Sequence, residues 1–162
     1  MVQEINDIRY WVQADARFNV RAAVILRHGP DILVTPDEDQ PGKFKLPGGA
    51  VKFGESGIVA AAREMKEELK LTTLTFAPAG TVEAFFTLAG THYHQIVLVN
   101  RCQVTATQAK AVAQLDPTTV DLAPDTKLRW VPVSQVRGHL LPPGIDSMLD
   151  MAAPYQYGVS HH

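Results

Sequence analysis

Alternating and β-branched apolar positions near the start of the chain predict a β-hairpin. Residues 17–27 (RFNVRAAVILR) have the pattern of a strand, and residues 32–35 have that of its partner, because a turn-forming run separates them. Residues 36–45 are polar and contain two prolines and a glycine, so we expect an exposed loop that ends in a short strand at 44–46. The motif Pro47-Gly48-Gly49 then interrupts the β pattern.

The apolar period becomes helical between residues 56 and 70. Apolar residues recur there at three- and four-residue steps, at Ile58, Ala61 or Ala62, Met65 and Leu69. Ser56 lies where an N-cap side chain would accept a backbone hydrogen bond. This pattern predicts a helix with one apolar and one charged face.

The rest of the chain alternates short apolar runs with turn signals. A turn at Ala89-Gly90 separates two long runs, which predicts an antiparallel middle region. Residues 105–125 are small or polar and are predicted to form a loop with a helical turn at 108–114, and Ser134 is expected to cap another turn. The further predicted elements are strands at 72–76, 80–88, 92–104 and 127–133 and a C-terminal helix at 145–152.

The composition fits one globular domain over residues 1–162. The chain has 46% hydrophobic and 20% charged residues and a formal net charge of -2, ordinary values for a single domain with its own core. Cys102 is the only cysteine, so no disulfide or zinc-finger framework can form within the chain. A lone thiol in an apolar strand is expected to be buried and unreactive.

Charge and hydropathy exclude several classes of protein. The near-neutral balance, with no run of Lys and Arg, argues against binding to duplex nucleic acid. No stretch approaches the roughly eighteen consecutive apolar residues of a membrane span. Residues 1–4 (MVQE) lack the basic start and apolar core of a signal peptide, so a cytoplasmic location is expected. His161-His162 is either native or part of an expression tag, and we base no function on it.

Four carboxylates crowd in or just before the predicted helix: Glu55, Glu64, Glu67 and Glu68. Like charges at i+3 and i+4 destabilise an isolated helix by about 0.2–0.5 kcal/mol per pair, and Arg63 offsets only part of that repulsion. A hard divalent cation prefers carboxylate oxygens and completes its coordination with waters and substrate phosphates. The cluster therefore predicts a Mg²⁺ site. The backbone of Gly48 and Gly49, free of side chains, predicts that a diphosphate can approach it closely.

The spacing of these residues resembles the Nudix box of Nudix hydrolases, G-x5-E-x7-R-E-U-x-E-E-x-G-U, in which U is aliphatic. The match runs from Gly49 to Leu71 and includes eight of the nine specified positions. Lys70 stands where the family has glycine. Glycine there ends the helix in a left-handed turn, so the lysine must adopt that conformation at a steric cost or let the helix continue.

The resemblance implies an α/β/α sandwich around a mixed β-sheet. It also implies a hydrolase that cleaves a nucleoside diphosphate linked to another group, with Mg²⁺ or Mn²⁺ as cofactor. By position in the motif, Glu67 and Glu68 would ligate the metal, and Glu64 would be a ligand or the base for the attacking water. Arg63 would orient the glutamates, and Glu55 would support them or touch the metal. The implied partner is a small nucleotide derivative, and family members are often homodimers.

Residues outside the motif have two interpretations each. Glu83 would supply a further carboxylate at the substrate or be an outward-facing strand residue. His92 and His94 share one strand face and would bind metal or a base, although a pair without a third ligand favours ordinary strand residues. Phe85, Phe86 and Tyr93 would pack in the core or sandwich a nucleobase, and Trp130 would pack in the core.

The motif does not specify the substrate. ADP-ribose hydrolases of the family tend to carry a proline, and dinucleoside-polyphosphate hydrolases a tyrosine, about fifteen to eighteen residues past the motif. This chain has residues 86–89 (FTLA) there, so nucleoside triphosphates, modified nucleotides and nucleotide sugars stay open. The alternative function is a catalytically silent Nudix-like nucleotide sensor, which the intact Glu64, Glu67 and Glu68 disfavour.

Overall fold

A mixed β-sheet organises the protein, whose structure, a computed structural model, describes residues 6–162. The prediction made from residues 1–4 concerns residues outside the described part. The strands are β1 (Arg9–Gln13), β2 (Ala16–His28), β3 (Asp31–Pro36), β4 (Phe44–Lys45), β5 (Gly48–Ala50), β6 (Ala77–Leu88), β7 (Thr91–Gln103), β8 (Arg129–Pro132), β9 (Leu140–Leu141) and β10 (Gln156–His161). The helices are α1 (Gly57–Leu69), α2 (Ala106–Ala113) and α3 (Val133–Val136), with 3-10 turns at Pro117–Thr119 and Ile145–Met148.

The sheet has both parallel and antiparallel neighbours. Its order is β10-β6-β7-β2-β3-β4-β9. Strands β6 and β7 form an antiparallel hairpin, whereas β7 runs parallel to β2, and β10 runs parallel to β6. On its other edge β2 pairs in succession with β1, β5 and β3, so this long strand joins the glycine motif to the centre of the sheet.

The two faces of β2 are buried in two separate cores. Ala22 and Val24 pack under α1 and α2 on one face. Ala23 and Ile25 pack on the other face with α3 and the turn Ile145–Met148. Because successive residues of a strand point to opposite faces, a strand covered on both sides is continuously apolar. The layers confirm the expected α/β/α arrangement around a mixed sheet.

Several predicted elements are confirmed. The hairpin of residues 17–35 is β2 and β3, and the charged helix is α1. The turn between β6 and β7 has positive φ at both Ala89 and Gly90, 48° and 80°, as a two-residue hairpin turn requires. Within residues 6–162, no helix is long and apolar enough to cross a membrane.

Other predicted elements were wrong. Residues 72–76 form no strand. Leu74 and Phe76 pack against the core below α1 from an irregular segment, so their burial explains the apolar pattern. Residues 47–49 do not simply end the β pattern, because Gly48 and Gly49 pair with β2. Two glycines carry no side-chain alternation from which a strand could be recognised.

The C-terminal third is more regular than expected. A full helix, α2, replaces the helical turn at 108–114, and Thr105 and Gln108 form a capping box at its start. Ser134 is not a cap, since it lies inside α3, which begins without a side-chain cap. The helix expected at 145–152 is only the 3-10 turn Ile145–Met148, and β10 follows it.

Candidate metal and diphosphate site

The ends of α1 fix which of its side chains face the sheet. Ser56 Oγ accepts a hydrogen bond from Val59 N at 3.2 Å, which confirms the predicted N-cap. Lys70 ends the helix with a φ of 57°, and the backbone N–H groups of Lys70 and Leu71 donate to Lys66 and Met65 carbonyls. The lysine therefore takes the left-handed conformation of the family glycine.

The Arg63 guanidinium is the centre of the charged face. It holds both carboxylate oxygens of Glu55, with Nε–Oε1 at 2.7 Å and Nη2–Oε2 at 2.9 Å. Its Nη1 donates to Glu64 Oε1 at 2.8 Å and to Glu67 Oε2 at 3.3 Å, and its Nη2 also donates to the Ala50 carbonyl at 2.9 Å. A planar five-donor group suits this arrangement better than lysine would. Arg63 thus connects three of the four predicted carboxylates.

Glu55 is held from two sides. The backbone N–H of Lys52 donates to Glu55 Oε2 at 2.9 Å, in addition to the two contacts from Arg63. These hydrogen bonds favour the ionised carboxylate and lower the pKa of Glu55, and the same contacts raise the pKa of Arg63. Glu55 therefore contacts Glu64 only through Arg63, and its role as a support or as a metal ligand stays a prediction.

Glu64 and Glu68 are buried together on the sheet side of α1. They are only 4% and 5% exposed. Burial, the negative charge of Glu64 and a hydrogen bond between the two side chains raise the pKa of Glu68 to about 8, against the opposing effects of Arg21 and the Gly48 backbone. A proton on Glu68 or a bound cation therefore offsets the repulsion within this pair at neutral pH.

The two glycines of β5 are required by close packing. A Cβ on Gly49 would lie 2.4 Å from the Glu64 carboxylate, and a Cβ on Gly48 would lie 2.0 Å from the Ala22 carbonyl oxygen. Gly48 also has a φ of 148°. The missing side chain at Gly49 gives the Glu64 carboxylate its room, and that at Gly48 lets β5 approach the backbone of β2. The direct substrate contact expected for Gly48 and Gly49 stays a prediction.

The donor set fits a hard divalent cation. Two buried carboxylates in mutual contact carry excess negative charge, and Glu67, whose side chain is 37% exposed, lies at the rim. Within the described residues, no three His, Cys, Asp or Glu side chains converge as a ready ligand group. Mg²⁺ commonly takes one or two carboxylates and completes its shell with water and phosphate oxygens, so this pair is compatible with such an ion.

A cleft of about 250 Å³ lies near the glycine motif, and none of the four carboxylates of the cluster is among its lining residues. Arg21 and Lys45 line it together with Leu46, next to the glycine motif, and Arg21 Nη2 donates to the Leu46 carbonyl at 3.0 Å. Arg21 also interacts electrostatically with Glu68 and Glu64. Sequence reasoning missed this residue, although an arginine inside the apolar strand RFNVRAAVILR was a usable signal.

Of the predicted aromatic residues, Phe86 lines the cleft. Phe85 points to the opposite face of the sheet. Its ring lies between those of His94 and His161, at centroid distances of 4.4 and 4.9 Å. Phe86 stacks on Tyr93 at 4.8 Å and on His162 at 5.1 Å. The remaining lining residues are Ala23, Asp37, Asp39, Gln40, Thr87, Leu88, Gln95, Val97, Leu141 and Pro142.

Glu83 and the two strand histidines make contacts with other strand residues. Tyr157 donates a hydrogen bond to Glu83, and His94 Nε2 lies 3.4 Å from the same carboxylate. His92 Nδ1 contacts Thr87 Oγ1 at 2.9 Å. A substrate contact of Glu83 and a function for the two histidines stay predictions.

Cys102 and Trp130 lie where the sequence predicts. Cys102 is buried, and burial raises the pKa of its thiol. Trp130 packs against the core near α1, and its indole N–H donates to the Ala109 carbonyl at 3.2 Å.

Known proteins share both the sequence family and the fold. The family model described as NUDIX domain matches residues 17–151. No curated protein matches the chain. A MutT protein from Bacillus halodurans superimposes with a TM-score of 0.62 at 16% identity, covering 89% of this chain and 90% of that one.

Two further solved structures are similar. The dihydroneopterin triphosphate pyrophosphohydrolase of E. coli gives a TM-score of 0.58 at 16% identity, over 80% of this chain and 91% of its own. A mutT/nudix family protein from Listeria innocua gives 0.53 at 21% identity, over 74% and 82%. At these identities the structures establish the likeness of fold alone.

Proposed function

The chain belongs to the Nudix family of hydrolases, and we propose that it hydrolyses the diphosphate linkage of a nucleoside diphosphate derivative in a Mg²⁺-dependent reaction. The observation that carries this proposal is the buried Glu64–Glu68 pair, which is joined through Arg63 to Glu55 and Glu67 and interacts electrostatically with Arg21, a residue that lines the cleft. A solvated helix face has no need of such a network.

Each charged residue has a distinct proposed role. Glu64 and Glu68 would hold the metal, Glu67 would move in from the rim to complete the ligand set, and Arg63 keeps Glu64 and Glu67 in position. A divalent ion supplies charge neutralisation at the phosphoryl oxygens and lowers the pKa of water. Arg21 and Lys45 bind the diphosphate from the cleft side.

The reaction breaks a bridging P–O bond. A water oxygen forms a new bond to one phosphorus while the bond from that phosphorus to the bridging oxygen breaks, and the leaving phosphate keeps that oxygen. The water must lose a proton, which Glu64 accepts if it is the base and not only a ligand. Gly49 leaves room for the Glu64 carboxylate, and Phe86 offers a ring to the base of the nucleoside.

The experiment is a substrate panel measured with Mg²⁺, with Mn²⁺ and with chelator. Nucleoside triphosphates, oxidised dGTP, ADP-ribose, nucleotide sugars and dinucleoside polyphosphates would be compared for product release, in the natural protein and in Glu67→Gln. Glu38→Gln is the matched control, because Glu38 is exposed and is not among the residues that line the cleft. We expect metal-dependent turnover that Glu67→Gln lowers by about two to three orders of magnitude and the control leaves unchanged.

Two outcomes contradict the proposal. Turnover that persists with chelator contradicts the metal-dependent reaction, and turnover that persists in Glu67→Gln contradicts the role of Glu67 as a metal ligand. Binding of a nucleotide without turnover of any compound supports the alternative, a catalytically silent sensor. The same proposal includes Mg²⁺ as the preferred metal, a cytoplasmic location and a homodimer. Light scattering would measure the oligomeric state.

A further inference from the structure

Two side-chain amides lie next to each other on the face of the sheet that forms the cleft. Asn19 of β2 is directly opposite Gln95 of β7, in a parallel register that is unbroken along β2. Directly opposite residues of neighbouring strands point to the same face of a sheet. Arg21 and Gln95 both line the cleft, so Asn19, two positions before Arg21, faces the same side.

Neither amide is engaged within the described part of the chain. Asn19 Oδ1 is buried without a hydrogen-bond partner there. Gln95 is half-buried, and its side chain makes no hydrogen bond to another residue among 6–162. A buried acceptor that lacks a donor raises the free energy of the folded protein. A donor that reaches Asn19 Oδ1 is therefore favoured.

Gln95 can supply that donor. Neighbouring strands lie about 4.8 Å apart, so a rotation of the longer Gln95 side chain brings its Nε2 within hydrogen-bond distance of Asn19 Oδ1. The two ends of the amide differ, because Nε2 only donates and Oε1 only accepts. With Nε2 bound to Asn19, the end that remains for a ligand in the cleft is the acceptor, Oε1.

The surroundings of Gln95 suit a nucleobase. Its opposite neighbour on β6 is the small residue Ala84. Phe86 lies two positions further along the same face of β6 and also lines the cleft. Diagonal neighbours in a sheet are within reach of aromatic and long side chains, so a base that contacts the Phe86 ring is also within reach of the Gln95 amide.

We propose that the Asn19–Gln95 pair selects a nucleobase that carries an exocyclic amino group, as adenine and cytosine do, over the base that carries an oxo group in its place. Asn19 is a positioning residue that holds Gln95 Oε1 toward the base, and Gln95 accepts a hydrogen bond from the amino group. An oxo group would set two acceptors against each other. This inference rests on the nucleotide binding of the proposed function and specifies its substrate class.

The test measures binding of the α,β-methylene diphosphates of adenosine, inosine, cytidine and uridine by calorimetry in Mg²⁺. The carbon bridge replaces the single P–O–P linkage, so these analogues resist cleavage. Adenosine and inosine differ in an amino or oxo group on the base, and so do cytidine and uridine. We expect the natural protein to bind the amino member about tenfold more tightly in at least one of the two pairs.

Two variants isolate the role of Asn19. In Asn19→Leu the Gln95 amide is free to turn either end to the base, so the amino preference should fall to within about twofold. In the double variant Asn19→Leu with Gln95→Glu, the carboxylate accepts at both oxygens, and the preference should return to about tenfold. A merely structural role of Asn19 predicts no such return.

Gln103→Leu is the matched control, because Gln103 is an exposed glutamine of the same strand and is not among the residues that line the cleft. It should keep the amino preference. Gln95→Leu changes a half-buried residue and leaves Asn19 in place, and it should abolish the preference as well. Thermal unfolding should verify that each variant is folded, and Gln95→Leu decides the matter if Asn19→Leu is not.

Several outcomes overturn the inference. They are equal binding of both members of each pair by the natural protein, an amino preference that survives Asn19→Leu or Gln95→Leu, and a preference that does not return in the double variant.

Turnover separates this inference from the proposed function. Metal-dependent hydrolysis of the substrate panel without an amino preference in binding leaves the hydrolase standing and overturns the selection by Asn19 and Gln95. An amino preference that depends on both residues, without turnover of any compound, supports the selection and contradicts the hydrolase. Failure of every analogue to bind, together with no turnover, contradicts both proposals.

Discussion

Two regions of the molecule bring side chains together in different ways. One is the segment Gly48–Lys70, which gathers charged groups, and the other is the far end of the sheet, which gathers rings. In the first region, Arg63 contacts carboxylates one, four and eight residues away along the chain. At the far end, rings come from five strands: Tyr10, Phe18, His94, Phe85 and His161 form a row with centroid distances of 5.5, 5.4, 4.4 and 4.9 Å. Short spacings encode the first arrangement, whereas strand register creates the second.

The difference explains which residues the sequence could identify. Ring contacts between neighbouring strands stabilise a sheet, and the row across the far end gives Phe85 that structural task. Its neighbour Phe86 points to the opposite face and lines the cleft. One position along a strand thus separates a ring in the row from a ring that lines the cleft.

The largest expected effect is that of Gly49→Ala, compared with Gly80→Ala. The new methyl group at Gly49 meets the Glu64 carboxylate at 2.4 Å, so Glu64 must leave Arg63, and we expect kcat/KM to fall by about 100-fold or more. At Gly80 a Cβ would lie 2.4 Å from the Gln156 carbonyl. That change should lower the free energy of unfolding by about 1–3 kcal/mol and leave metal binding intact.

Kinetics and denaturant unfolding of both variants check this contrast. Gly158→Ala serves as the control, since a Cβ there meets nothing within 4 Å. If Gly49→Ala is active and Gly80→Ala is not, the charged region is more tolerant than its contacts indicate.

The second prediction compares Phe86→Ala with Phe85→Ala. Loss of the ring in the cleft should raise KM for nucleotides about tenfold, with kcat within about twofold. Loss of Phe85 should lower the free energy of unfolding by about 1–2 kcal/mol and leave KM unchanged. Steady-state kinetics and thermal unfolding distinguish the two results. A raised KM in Phe85→Ala with an unchanged KM in Phe86→Ala would mean that the substrate binds on the α1 face of the sheet.

The sequence predicted the contacts between residues that are close along the chain and missed those that depend on strand pairing. The α1 boundaries, the Ser56 cap and the cluster of Arg63 with its glutamates depend on contacts within about twenty residues, and the motif spacing identified them. Arg21, by contrast, reaches the site only because β5 pairs with the middle of β2. Strand β10 was missed since its pairing with β6 joins residues more than seventy positions apart, and no local pattern encodes such a partner.

The third prediction uses pH to test the buried pair. Glu68 has a raised pKa of about 8 against an ordinary 4.5, so the folded state binds more protons than the unfolded state between these values. Stability without metal therefore falls as pH rises through this window. A cation replaces the proton, so the increase in Tm on adding Mg²⁺ should be about 2–4 °C larger at pH 8 than at pH 5.5.

Glu68→Gln provides the comparison for this measurement. In that variant the pH dependence of the Mg²⁺ effect on Tm should be lost. The Glu55 carboxyl, whose pKa is lowered, stays ionised throughout this range and does not contribute. An equal Mg²⁺ effect at both pH values would mean that no cation binds at the pair.

The smallest expected effect compares two left-handed residues, Lys70→Gly with Ala89→Gly. Both have positive φ, 57° and 48°. Glycine removes about 1–2 kcal/mol of steric cost at such a position and loses about 0.5–1 kcal/mol through its freer unfolded chain. Ala89→Gly should therefore raise Tm by about 1–3 °C without kinetic effect.

Lys70→Gly should raise Tm by less than Ala89→Gly. The lysine Nζ donates to Thr119 Oγ1 at 3.3 Å, and nearby Asp121 N donates to the Glu67 carbonyl at 3.1 Å, so the substitution removes a contact that ties this loop to the end of α1. Thermal unfolding of both variants measures the difference. A larger gain for Lys70→Gly would mean that the Thr119 contact contributes nothing and that lysine there is only a steric cost. A smaller gain, with faster amide exchange at Asp121, would show that the lysine compensates for the missing glycine by holding the loop beside Glu67.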